Sequence, residues 1–244
     1  MPMITRREML GGGSALAVGA LPADASREPQ RTLKIIVTGG HPGDPEYGCG
    51  GTIARYADLG HEIVLRYLND GDPPSKPGPK GLRVVEARKA CEILKARPLF
   101  AGQVDGAAVV DPARYDAFRK ILAPERPDIV FTHWPIDNHA DHRAIAMLTY
   151  DAWLRLGRTF ALYYYEVSNG EDTVQFSPTH HVDITATEPR KRLACFAHAS
   201  QSPEKFYALQ GQVTRFRGIE SGFRHAEGFI RQIQNPDFGL PGVA

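Results

Sequence analysis

Cysteine is scarce: Cys49, Cys91 and Cys195 are the only three in 244 residues, far apart and without a C-x-x-C pair. That spacing excludes a disulfide framework and a cysteine zinc knuckle, and leaves small core residues as the ordinary reading. An excess of charge is lacking too, since 29 Lys plus Arg nearly balance 28 Asp plus Glu. Such a surface carries no electrostatic footprint for nucleic acid or an anionic membrane. The apolar run at 10–21 is shorter than the roughly 18 residues a membrane span needs, so no stable anchor is expected. What remains, with 42% hydrophobic and 23% charged residues, is the profile of one globular domain with a sizeable core.

Arg6 and Arg7 precede that apolar run, and Ala23-Asp24-Ala25 follows it as a small-x-small cleavage pattern. The arrangement resembles a twin-arginine export signal over 1–25, followed by a polar linker at 26–32 and a mature domain at 33–244. Export to the periplasm or beyond is the expectation.

The mature chain is organised around LKIIVTGGHPGDPEYGCGGT, residues 33–52. A β-branched apolar run at 33–37 ends in Gly39 and Gly40, which reads as a buried parallel strand and a tight turn. His41, Asp44 and Glu46 follow, and an amphipathic helix is expected over 52–59. Neither G-x-G-x-x-G nor the P-loop pattern fits this turn, and its acidic residues repel phosphate. Imidazole and carboxylate together suit a divalent cation such as zinc.

Further strands are expected at 62–68, 98–100, 127–132 and 161–167, with helices at 82–96, 112–122, 143–156, 188–197 and 202–216. Residues 174–176 with 181–184 suggest a small hairpin or edge pair. The Pro- and Gly-rich 73–81 reads as a surface loop near the site. This alternation predicts an α/β, Rossmann-like, doubly wound and mostly parallel sheet in a single domain. The strand at 127–132 delivers HWPIDNHADH, three histidines and two aspartates within ten residues, 133–142. Packing alone does not explain such a cluster at a strand end.

Two strand ends that each carry His and Asp can share one ion, because neighbouring strands lie about 4.8 Å apart. His41, Asp44 and His142 are assigned as a zinc triad, another divalent metal being possible, with one coordination place left for water. Zinc brings a water pKa to about 7 and polarises carbonyls, which points to amide or ester hydrolysis. His139 is placed to stabilise an oxyanion or protonate a leaving amine, and Asp141 or Asp137 to fix its tautomer.

These residues resemble the PIG-L or LmbE-like zinc N-deacetylases, whose His-Pro-Asp-Asp and His-x-Asp-His signatures build the metal site. GCGGTIARYADLGHEI, the Arg83 to Glu86 spacing, VDIT at 182–185, HASQ at 198–201 and RGIESGFRHAEGF at 217–229 extend the similarity over nearly all of the mature chain. The resemblance implies a Rossmann-like fold and removal of an acetyl group from an N-acetylglucosamine unit in a small glycoside or glycolipid. A small-molecule or glycan substrate is therefore expected, and self-association is compatible with it. Arg83, Glu86, Asp105, His198 and Gln201 are candidates for substrate contact, and Tyr47 and Trp134 for stacking on a sugar ring. His133 and His225 have no assigned role.

One position departs from the pattern. The first Asp of the family signature serves as general base, and Gly43 stands there. Asp70, Asp72, Asp137 and Glu46 are the candidates to replace it. The alternatives are that the ion's own activation of water suffices, or that the protein is a catalytically silent metal- or sugar-binding relative.

Overall fold

The computed structural model describes residues 31–75, 78–168, 173–234 and 240, so the proposed export signal and most of the linker lie outside the described residues. The chain alternates strand and helix: β1 (Lys34–Gly39), α1 (Asp44–Asp58), β2 (Glu62–Asn69), α2 (Leu82–Leu94), β3 (Arg97–Gln103), α3 (Pro112–Leu122), β4 (Ile129–His133), α4 (Ala140–Arg155) and β5 (Ala161–Tyr165). Then come β6 (His180–Asp183), α5 (Glu188–Phe196), α6 (Pro203–Ser221) and β7 (Ala226–Arg231).

The seven strands lie in the order β3-β2-β1-β4-β5-β7-β6. β1 to β5 run parallel, and β7 is antiparallel to both β5 and β6. Both faces of β1 are buried, which is why its sequence is continuously apolar rather than alternating. Ile35 and Val37 join one core with residues of α1, α2 and α5, while Ile36 joins a second core with residues of α3 and α4. The chain winds outward from β1 to β3, then crosses back to β4 beside β1, with Val37 opposite Phe131. Between β1 and β4 the winding reverses, and doubly wound sheets keep their ligands in the crevice at such a point.

Three expectations need correction. Helix α1 begins at Asp44, not near residue 52, so Gly48, Gly50 and Gly51 are helical. They are glycines because other elements press on this helix: a Cβ at Gly51 would lie 2.6 Å from Ile184, and one at Gly50 would lie 2.9 Å from Lys191. The hairpin between 174–176 and 181–184 does not form; β6 pairs instead with β7, a strand whose buried Glu227 and Gly228 obscure its pattern. Residue 173, just before that segment, makes a single bridge to Asp137. Helix α4 starts at Ala140, which puts His142 in its first turn. The three cysteines are free and buried.

Candidate active site

The turn from β1 into α1 sets the first half of the site. Gly40 must be small, because a Cβ there would meet the His142 ring at 2.9 Å and Asp44 Oδ2 at 3.1 Å. Asp44 opens α1, and its Oδ2 accepts from the His41 amide at 2.7 Å. The same oxygen lies 3.3 Å from His41 Nδ1, 3.1 Å from His142 Nε2 and 3.2 Å from His133 Nε2. Two ligands of a tetrahedral zinc at 2.0–2.1 Å stand about 3.3 Å apart, so these separations fit a shared ion.

The far edges of two rings are pinned by carboxylates. His142 Nδ1 meets Asp137 Oδ1 at 3.1 Å, and Asp137 is itself held by the His139 amide at 2.8 Å and the Thr173 hydroxyl at 2.9 Å. His41 Nε2 meets Asp141 Oδ2 at 3.1 Å and Asp105 Oδ1 at 3.2 Å. Asp141 also accepts from Asn69 Nδ2 at 3.1 Å and the amides of Gly106 at 2.8 Å and Ala108 at 3.2 Å. A carboxylate only accepts, so His142 Nδ1 and His41 Nε2 carry hydrogens. In the neutral rings, lone pairs on His142 Nε2 and His41 Nδ1 then face the Asp44 carboxylate. Three acceptors facing one another at these separations suit a cation between them.

The carboxylates around the two rings favour positive charge there. Burial disfavours charge on His142, but Asp44 beside it and hydrogen bonds to Asp137 and Asp44 outweigh burial and raise it to about 9. His41 is raised well above the ordinary imidazole range in the same way, burial being outweighed by Asp44, Asp105 and Asp141. Asp44, although buried, is held well below the usual carboxylate range by His142, His41 and His133.

His139 is built differently. It is the N-cap of α4, and its Nδ1 accepts from the Asp141 amide at 3.2 Å. Its hydrogen therefore sits on Nε2. Burial and the neighbouring His41 and His142 lower its pKa, which keeps it a neutral donor. Its tautomer is fixed by a backbone amide and not, as expected, by the side chain of Asp137 or Asp141. Those two aspartates are buried and orient His142 and His41 instead.

His41, Asp44, His139 and His142 open on a cleft of about 860 Å³ that is also lined by Asp72, Arg83, Asp105, Ser200 and Gln201 and by Pro73, Pro74, Pro79 and Lys80. Arg83 reaches it while clamping the carbonyls of Pro42 at 2.5 Å and Gly71 at 3.3 Å. Glu86 and His198 do not line it. Glu86 is buried and takes the amide and hydroxyl of Ser200, both at 2.7 Å, which brackets the turn at Ala199–Gln201. His198 is buried against Gly43 and bonds Glu46 Oε1 at 3.0 Å. Neither Tyr47 nor Trp134 lines the cleft; they pack on Tyr207 and on Tyr164 and Phe176. The sequence reading missed His133, although it occupies the end of β4 as His41 follows the end of β1.

Of the carboxylates considered as a substitute base, Glu46 and Asp137 are buried away from the cleft and Asp70 does not line it. Asp72 does, but its Oδ2 takes the Gly81 amide at 2.5 Å. Gly43 itself adopts φ 111° and ψ −37°, a conformation that disfavours any side chain.

Residues 36–153 match the family model described as PIG-L: GlcNAc-PI de-N-acetylase. Over that stretch the chain is similar to the PIG-L family. It is 27% identical over 219 residues to a diacetylchitobiose deacetylase of Thermococcus kodakarensis, covering 80% of this chain and 81% of that one. Among solved structures it superposes on the N,N'-diacetylchitobiose deacetylase of Pyrococcus horikoshii with a TM-score of 0.73 at 23% identity, over 88% of this chain and 91% of that one. The 4-carboxy-2-hydroxymuconate hydratase of Pseudomonas putida KT2440 superposes with a TM-score of 0.71 at 21% identity, over 86% of this chain and all of that one (100%). One PIG-L-like fold thus supports both amide hydrolysis and hydration, so the reaction has to be argued from the site.

Proposed function

We propose that this PIG-L-like protein is a zinc-dependent de-N-acetylase acting on an N-acetylglucosamine-type glycoside. The observation that carries the reading is the pair of imidazoles, His41 and His142, whose outer nitrogens are pinned by Asp141 and Asp137 while their inner nitrogens face Asp44 Oδ2 at the floor of the cleft. Ligating histidines are held by outer carboxylates in this manner. His41, Asp44 and His142 would hold the ion, and zinc supplies there the Lewis acidity that polarises an amide carbonyl and activates water.

The chain's own residues do the rest. His139, neutral with its hydrogen on Nε2, directs that hydrogen towards the oxygen of the acetyl carbonyl as charge develops, and so serves the oxyanion rather than the departing amine. Asp105, already sharing His41 with the fully bonded Asp141, has capacity left for a sugar hydroxyl. Gln201 and Arg83 line the same cleft. A cleft of about 860 Å³ accommodates a disaccharide-sized ligand. The test is acetate release from N,N'-diacetylchitobiose and N-acetylglucosamine glycosides by the zinc-loaded protein; absence of release across the panel overturns the reading.

Replacing His139 by alanine is expected to lower kcat by about 100- to 1,000-fold, the usual effect of removing one oxyanion donor. Zinc content should stay at the wild-type level, because that ring presents a hydrogen and no lone pair. Loss of zinc in this variant would make His139 a ligand.

Gly43 favours a second reading, a silent binding protein. Gly43→Asp and Gly43→Ala separate the two. Both force a side chain to φ 111°, where a Cβ would touch His198 and Tyr47 only at an ordinary 3.9 Å, so both are expected to lose about 1–3 kcal/mol of stability from backbone strain. An active natural protein turns over in the panel and Gly43→Ala follows it. Turnover only in Gly43→Asp would mark a site that had given up its chemistry.

A further inference from the structure

Four histidines crowd Asp44 and the cleft, and His133 is the one without a place in the mechanism. It ends β4, is fully buried, and lies between the rings of His142, stacked at 4.0 Å and 20°, and Tyr165, at 4.7 Å. Its Nε2 is 3.2 Å from Asp44 Oδ2, the same oxygen that faces His41 and His142. By distance alone it is as good a ligand as His142.

Two observations remove it from the ligand set. An ion bound by an imidazole lies close to the plane of the ring, and two nearly parallel rings stacked 4.0 Å apart cannot both place one ion in plane at about 2.0–2.1 Å. Only one of the pair can bind. The outer nitrogen of His142 is pinned by Asp137, as a ligand's should be, whereas His133 Nδ1 finds no partner among the described residues. His142 is therefore the ligand.

The tautomer of His133 follows from the charges. The Gly40 amide also lies 3.2 Å from His133 Nε2, and in the Nδ1–H form that amide would donate to it. That form would turn a lone pair on to the Asp44 carboxylate and bury an Nδ1 hydrogen with nothing to receive it. In the Nε2–H form the Gly40 amide gives up that acceptor, but the ring donates a charge-assisted hydrogen bond to the Asp44 carboxylate and the orphan at Nδ1 is only an acceptor. We infer that His133 is a positioning residue for the metal site: it donates Nε2–H to Asp44 Oδ2 and fixes the carboxylate in the orientation that His41 and His142 require. The inference rests on the metal reading above and extends it to a residue outside the ligand set.

The test is zinc affinity, measured by competition with a chromophoric chelator for the full chain, for His133→Phe, which keeps a flat ring in the stack without a donor, and for His133→Gln, which restores an amide donor near Nε2. His133→Phe should bind zinc about 10- to 100-fold more weakly, the range for losing an outer-sphere partner. His133→Gln should stay within about threefold of the natural protein, and its cobalt-substituted form should keep the same visible absorption, since no ligand has changed. Equal affinity in all three proteins, or equal weakening in both folded variants, overturns the donor role. So does a changed cobalt spectrum in His133→Gln, which would make His133 a ligand. If His133→Phe does not fold, His133→Gln decides: a folded protein with more than about tenfold weaker zinc overturns the inference. A natural protein that takes up no zinc overturns both proposals, whereas a zinc-loaded protein that releases no acetate overturns only the activity.

Discussion

His142→Ala is expected to lose zinc on purification and to release acetate at least about 1,000-fold more slowly than the natural protein. The figure follows from a Lewis-acid contribution of several kcal/mol, at about 1.4 kcal/mol per tenfold in rate. The substitution removes the lone pair at Nε2 and also takes a partner from Asp137, which among the described residues then keeps the His139 amide and the Thr173 hydroxyl. Zinc per chain by elemental analysis and acetate release on the same preparation are the two measurements. Asp137→Asn provides the informative companion, because an asparagine retains the size of the aspartate but no longer demands the hydrogen on Nδ1. Partial loss of zinc affinity there, with His142 intact, would show that the outer carboxylate sets which nitrogen faces Asp44. Unaltered zinc content in His142→Ala would place the ion elsewhere and remove the basis for the proposed hydrolysis.

The parts of this site that were legible in the sequence are those in which chemistry sits at a strand end. The run at 33–37 announces β1, and His41 and Asp44 follow it directly; the run at 127–132 announces β4, and the cluster from His133 to His142 follows. What the sequence conceals is the identity of a residue's neighbour. Gly48, Gly50 and Gly51 look like loop residues until Tyr165, Ile184 and Lys191, distant in sequence, are seen against them. Glu86 and His198 carry the polar look of cleft residues, yet each spends its hydrogen bonds inside the protein, on Ser200 and on Glu46. A carboxylate that orients a ligand and one that meets substrate are the same residue type at similar spacing. Asp141 and Asp105 both touch His41 Nε2, and only the depth of one and the cleft exposure of the other assign them different work.

Lys191→Met is expected to produce the largest loss of stability. Lys191 and Glu227 form an ion pair at 2.5 Å, with side chains 0% and 1% exposed. Around it, Glu227 accepts the amides of Gly51 at 2.9 Å and Thr52 at 2.8 Å, and Lys191 Nζ donates to the Tyr47 carbonyl at 2.5 Å. The pair thus reaches the backbone of α1, and the missing side chain at Gly50 is what lets Lys191 approach. Removing the ammonium leaves a carboxylate buried with two amide donors and no countercharge, a loss of about 3–5 kcal/mol. For a chain of this size that corresponds to a fall in Tm of roughly 6–20 °C by calorimetry. In Lys191→Met/Glu227→Gln the stranded charge is absent, and the double variant should be more stable than the sum of the two single losses, a positive coupling in a double-mutant cycle. A Lys191→Met protein that melts with the natural one would mean that the pair is hydrated in solution. Because the backbone groups it engages begin one turn beyond Asp44, the same variant connects stability to the site: on the proposed reading zinc binds only the folded state and should recover part of the lost Tm, the gain rising with the logarithm of its free concentration.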